Sequence, residues 1–238
     1  MNTKTAHQIL FYIAHGVFIL IMTCSFILFP LTMNATVKNT HHDFSNWGEE
    51  ELCKACHTPH HANTTVSQSP LWNHQVTTSA YTLYNSPTMQ STPTQPTSIS
   101  RLCLSCHDGT IAVDAFGANA GTYYMRSQTS HGVPIAIGTK LNSHHPVSIQ
   151  YDSTLAAQDS QLYNPDTTPS GLGGTISHDM LNGGVLECSS CHDVHVARGT
   201  GNCMDCHSDF TFPNYYLNTK SLVKSNEGSA LCFTCHKK

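Results

Sequence analysis

Cys53-Lys54-Ala55-Cys56-His57 recurs in outline four more times along this 238-residue chain. The other copies are Cys103-Leu104-Ser105-Cys106-His107, Cys188-Ser189-Ser190-Cys191-His192, Cys203-Met204-Asp205-Cys206-His207 and Cys232-Phe233-Thr234-Cys235-His236. Together they use ten of the eleven cysteines. The spacing is the attachment signature of c-type haem: the two cysteines form thioethers to the porphyrin edge, and the next histidine reaches the iron as proximal ligand. Zinc wants four ligands in a tetrahedral array, which the pairs at 188/191 and 203/206 could supply. Zinc gives no reason, however, for a histidine after every second cysteine. A thioredoxin-like site would want one Cys-x-x-Cys on a βαβ unit, and no such unit can be read here. A disulfide framework in an exported chain also leaves the five histidines unexplained. The sequence therefore predicts five covalently attached haem c groups, each with an iron bound by His57, His107, His192, His207 or His236.

Composition bears on what could fold around them. Charged residues make up 11% of the chain, and Ser, Thr, Asn, Gln and Gly are abundant. Long amphipathic stripes are hard to find, so alone the chain would read as loops or disorder. Five flat, apolar macrocycles change that, because they can act as the core. Burial at ~25 cal/mol per Å² of apolar surface would then come largely from haem rather than from side chains. The expected fold is mostly coil with short α-helices and few short strands, a multihaem cytochrome c fold organised around a stacked haem chain. The formal charge of −4 and the lack of a basic run argue against nucleic acid as a partner.

Lys4 is followed by Ile9 to Leu31, nearly all apolar, interrupted by His15, Thr23 and Pro30. Residues 1–35 read as an export segment, either a signal peptide cleaved near Ala35 or an N-terminal membrane anchor. Cys24 inside it reads as an inert apolar residue. Both readings put the rest of the chain outside the cytoplasm: extracellular, on the cell surface, or otherwise periplasmic. Residues 36–118 carry motifs one and two, separated by a segment rich in Ser, Thr, Pro and Gln, in which 88–100 is expected to be loop. Residues 119–180 hold no motif, are rich in Gly, Ser and Thr, and are expected to supply distal ligands. Short strands are expected at 133–137 and 147–151. Residues 181–238 hold motifs three to five.

Ten histidines beyond the export segment are not in a motif: 41, 42, 60, 61, 74, 131, 144, 145, 178 and 195. Five irons need five distal ligands, so bis-histidine ligation throughout is the simplest reading. Met89, Met125, Met180 and Met204 read as packing against haem faces rather than as iron ligands. In the pairs 41–42, 60–61 and 144–145, successive side chains point apart, so one of each pair at most serves a given iron. His41, His61, His131 and His144 are expected to be solvated. His60 and His195 each stand three residues after a proximal histidine, too close to reach the far side of the same iron, and suit a neighbouring one.

Cys56-His57-Thr58-Pro59-His60, Pro70-Leu71-Trp72-Asn73-His74, Leu102 to Ile111 and His145-Pro146-Val147-Ser148 together resemble the doubled-CXXCH family of multihaem cytochromes. The likeness runs from about His42 to His195. It implies His42, His60, His74, His145, His178 and His195 as distal ligands, six candidates for five irons. It also implies an electron carrier whose partners are redox proteins. Some members of the wider group are subunits of extracellular filaments, in which a histidine of one copy ligates a haem of the next. The resemblance thus allows a homopolymer with inter-subunit ligation.

The expected function is electron transfer outside the cytoplasm rather than catalysis. One alternative is a membrane-anchored quinol-oxidising multihaem cytochrome, favoured by the length of the apolar segment. Another is a multihaem reductase, which would need an open iron position. All five motifs here end in histidine.

Overall fold

The computed structural model of the protein describes residues 37, 42–45, 52–127, 129–130, 133–134, 136–195 and 221–237. All of these belong to one compact unit, Ala35–Lys238. The segment expected to direct export, with Cys24, motif four (Cys203, Cys206, His207), His41 and His131 lie outside the described residues.

Most of the described chain is coil, crossed by short elements. The helices are α1 (Ser98–His107), α2 (Ser153–Gln158), α3 (Ile176–Asp179) and α4 (Cys232–Cys235). Two antiparallel pairs of two-residue strands join β1 (Thr129–Ser130) to β2 (Val133–Pro134) and β3 (Ile149–Gln150) to β4 (Val185–Leu186). The strands expected at 133–137 and 147–151 are thus present as two-residue fragments. Ile149 pairs with Leu186, so both point into the core while Gln150 faces out.

The loop expected over 88–100 ends early, because Ser98 to Ser100 form the first turn of α1. Thr97 provides no side-chain cap. The donors of this helix start are met from far along the chain. The Ser148 hydroxyl accepts from Thr97 N at 3.0 Å, and the Glu187 carboxylate accepts from Ser100 N at 3.3 Å. A helix whose end groups are satisfied by remote residues leaves no capping signal in its own sequence. The start of α2 is locally written: Asp152 accepts from Leu155 N at 2.9 Å.

Side chains build more of the interior than the composition suggested. Ile149, Tyr151, Leu155, Ile176, Met180, Leu181, Leu186, Leu222 and Leu231 form one buried cluster, and Met89 packs against it. Most of these residues come from the motif-free stretch and the strand that follows it. Met180 and Met89 therefore fill gaps among aliphatic side chains. A second cluster, Tyr81, Leu104 and Leu141, seats the inner face of α1.

Candidate haem sites

Each described motif closes one helical turn. The histidine N–H donates to the carbonyl of the first cysteine at 2.9 Å in motif one, 3.0 Å in motif three and 3.0 Å in motif five. Motif two lies within α1. Residues three and four apart on such a turn share a face. Two thiols and one imidazole therefore point the same way, as a flat group held by two thioethers and an axial nitrogen requires. Burial pushes the thiols of Cys56 and Cys235 up to about 11 and that of Cys106 up to about 12. At neutral pH these are thiols rather than the thiolates that a redox nucleophile needs.

Three of the four described motifs share a second device. After the turn, the histidine forms a one-residue antiparallel bridge to a remote residue: His57 to Trp72, His192 to Leu222 and His236 to Leu162. The flanking bonds follow one pattern, with Thr58 N donating to Leu71 O and Asn73 N to Cys56 O in motif one. Asp193 N to Ser221 O and Val223 N to Cys191 O repeat it, as do Lys237 N to Gln161 O and Tyr163 N to Cys235 O. In this register the paired residues are the non-hydrogen-bonded kind, whose side chains approach most closely. Motif two differs. Its helix runs on, Asp108 N donating to Leu104 O at 2.8 Å, and Gly109 turns the chain at φ +76. A Cβ on Gly109 would lie 2.7 Å from Arg126 Cβ.

The shared Cys-His-Thr and Cys-His-Asp texture has a local cause. Asp108 Oδ1 accepts from Thr110 N at 2.6 Å, Asp193 Oδ1 from His195 N at 2.8 Å, and Thr58 Oγ1 from His60 N at 3.4 Å. The residue after the histidine of motifs one, two and three thus turns the chain by bonding the backbone two residues on.

Three motif histidines face a distal candidate. Ring centres are 6.0 Å apart for His57 and His195, 6.0 Å for His42 and His107, and 6.2 Å for His145 and His236. An iron about 2 Å from one nitrogen of each ring would set the centres roughly 6 Å apart, so the residues fit the group. Ordinary ring packing also spans about 4.5–7 Å. What separates the two is identity: every one of these contacts joins a motif histidine to a histidine outside its own motif. The ring protons agree. Nδ1 of His57 lies 2.5 Å from Pro70 O, Nδ1 of His74 2.9 Å from Gln75 O, and Nδ1 of His145 2.9 Å from Pro146 O. A carbonyl only accepts, so Nδ1 carries the proton and Nε2 keeps its lone pair for a metal. Burial, with His192 nearby, holds His107 below the usual imidazole value, and burial with His145 nearby does the same for His236. Neutral imidazole is the ligating form.

The other candidates sit differently. His74 is buried, with Nε2 3.5 Å from Cys106 Sγ and its ring beside Trp72 and Phe116. Asn73, one residue earlier, donates to Lys54 O inside motif one at 2.5 Å. The Trp-Asn-His segment therefore ties motif one to motif two. His178 is 82% exposed, and its Nδ1 is 2.7 Å from Asp179 Oδ1. The Ser170 hydroxyl, the His178 ring and Gly174 N hold the Asp179 carboxyl down at about 2. His60 is exposed and meets no motif histidine among the described residues.

The chain matches no protein-family model, and no curated protein is significantly similar to it.

Motifs two and three are packed together. Cys188 N donates to Ser100 Oγ at 2.9 Å, and a hydrogen bond with Cys188, then burial, push the Cys103 thiol up. Glu187 and Asp108, both nearly fully buried, stand beside these motifs. Asp108 accepts from Tyr81 OH at 2.5 Å and Thr77 Oγ1 at 2.9 Å, while Glu187 accepts from the Ser148 hydroxyl at 3.0 Å. Neither carboxylate was singled out from sequence, although each is adjacent to a motif. His144 was expected to be solvated. It is half-buried on the wall of an apolar cleft that also holds Leu83, Leu104, Leu141, Val147 and Cys188. Among the described residues no group of three or more His, Cys, Asp and Glu converges as a metal site. No described helix is long and apolar enough to cross a membrane.

Proposed function

We propose that the protein is a pentahaem c-type cytochrome that carries electrons outside the cytoplasm through closely spaced haems, each closed by two histidines. The observation that carries this reading is the facing of His57 with His195, His107 with His42, and His236 with His145. Haem iron, when bound, supplies the one-electron chemistry; the chain supplies spacing, ligation and burial. Motif one is tied to motif two by Asn73 and His74, and to motif three by His195. Motif two meets motif three through Ser100 and Cys188. Such contacts between motifs support a reading in which successive haems lie near one another, as a wire needs.

The family resemblance extends the proposal to an extracellular conductive filament. Of the six distal candidates, His178 is 82% exposed, and its Nδ1 is held by Asp179. In this reading His178 ligates a haem of the next copy. The apolar segment Ile9 to Leu31 favours the second reading, a membrane-anchored quinol-oxidising cytochrome.

Mass spectrometry and electron cryo-microscopy of protein purified from the cell exterior test the proposal. The expected result is five haem adducts per chain and ordered filaments with an unbroken haem row. Discrete molecules retaining residues 9–29 in a membrane fraction would replace it with the second reading. A chain without covalent haem would overturn both.

A further inference from the structure

One seat recurs at motifs one, three and five: the residue bridged across from the motif histidine. Leucine fills it twice, as Leu222 opposite His192 and Leu162 opposite His236. At motif one the seat holds Trp72. Two leucines show that apolar contact satisfies the seat, so the indole brings something more. Its Nε1–H is buried and has no hydrogen-bond partner, the one such side-chain atom among the described residues. Buried donors are rarely left unpaired, and an orphan next to a ligand site points to an acceptor that arrives with the ligand. The bridge register sets Trp72 directly across from His57, and the His74 ring centre lies 6.1 Å from that of the indole.

We propose that the Trp72 indole N–H holds a carboxylate of the group attached at Cys53 and Cys56. On the haem reading above, on which this inference rests, that carboxylate is a propionate, the only strong acceptor on a c-type haem's rim. Trp72 is then a positioning residue with an electrostatic consequence. A donor on a propionate offsets part of its negative charge. Less negative charge beside the iron favours the reduced state, so Trp72 raises the potential of the motif-one haem relative to a leucine in the same seat.

The test is Trp72→Leu, which installs the residue the other two seats carry, with Trp72→Phe as a second variant that keeps an aromatic ring. Spectroelectrochemistry of the holo-protein should show one of five haems whose reduction equilibrium constant falls about tenfold, or about 59 mV for a one-electron couple. Haem content and low-spin spectra should be unchanged in both variants. Ultraviolet resonance Raman of a Trp47→Phe background should show the remaining indole N–H hydrogen-bonded, and slow to exchange in D₂O. Five unmoved potentials, or an indole N–H that exchanges at the rate of a water-bonded donor, would overturn the proposal. Failure of the haem reading itself would look different: no covalent haem in the wild-type protein.

Discussion

Motif two and motif three carry the same five-residue pattern and are held in opposite ways. Motif two ends a ten-residue helix, and the carboxylate after its histidine is nearly buried under Tyr81, Thr77 and Thr110. Motif three is a single 3₁₀ turn followed by the His192–Leu222 bridge, and its equivalent carboxylate, Asp193, is 36% exposed. The pentapeptide therefore dictates the turn that gathers two thiols and an imidazole, while the surroundings dictate stability and polarity. A wire built from one repeated attachment unit can differ from site to site without changing the unit.

Truncating the apolar seat of α1 should break the comparison most strongly. Leu104→Ala removes a buried side chain packed on Tyr81 and Leu141 and should cost about 2–5 kcal/mol in denaturant unfolding. Hydrogen exchange should quicken in α1 while the Asp193 and Val223 amides of the motif-three bridge keep their protection. The second contrast lies in the carboxylates. Asp108→Ala takes their shared acceptor from two buried hydroxyls, of Tyr81 and Thr77, and from the half-buried Thr110 N–H and hydroxyl, and should cost roughly 1–3 kcal/mol, with Asp108→Asn restoring part of it. The matching change Asp193→Ala should stay within about 0.5 kcal/mol, and equal losses at the two sites would erase the distinction drawn here.

Glu187, at the joint between the two motifs, gives the smallest effect and a sign. Burial holds its carboxyl above the ordinary value of 4.5, outweighing the hydrogen bonds from Ser100 and Ser148. A folded-state value above the unfolded one means that the native protein binds the proton more tightly. Its contribution is complete below 4.5 and is lost as pH rises through the raised value. Glu187→Gln should flatten that slope. Thermal unfolding of both proteins between pH 4 and 7 reads it directly, and parallel slopes would show that Glu187 does not carry the dependence.

The five motifs, the helical turns of the four described ones and the scarcity of regular structure are legible in the sequence because each depends on residues a few positions apart. His195 was legible from its spacing as suited to a neighbouring motif, and His42 and His145 as candidates only through a family resemblance; which motif histidine each ring meets was not legible, since spacing alone does not pair rings across the chain. The start of α1 was missed because its donors are met by Ser148 and Glu187 rather than by Thr97. The bridge seats were missed for a related reason: Leu162, Trp72 and Leu222 are ordinary residues until the fold sets them opposite a histidine. The side-chain core around Ile176 was underestimated because its leucines are scattered through a Gly- and Ser-rich stretch and converge only in three dimensions.

The most direct test of the central claim is the spin state of the irons in His42→Ala, His145→Ala and His195→Ala beside the parent protein. Bis-histidine ligation throughout predicts five low-spin haems in the parent. Each variant should show one high-spin haem that binds carbon monoxide when reduced, with all five haems still attached. Entirely low-spin spectra in all three variants would contradict it.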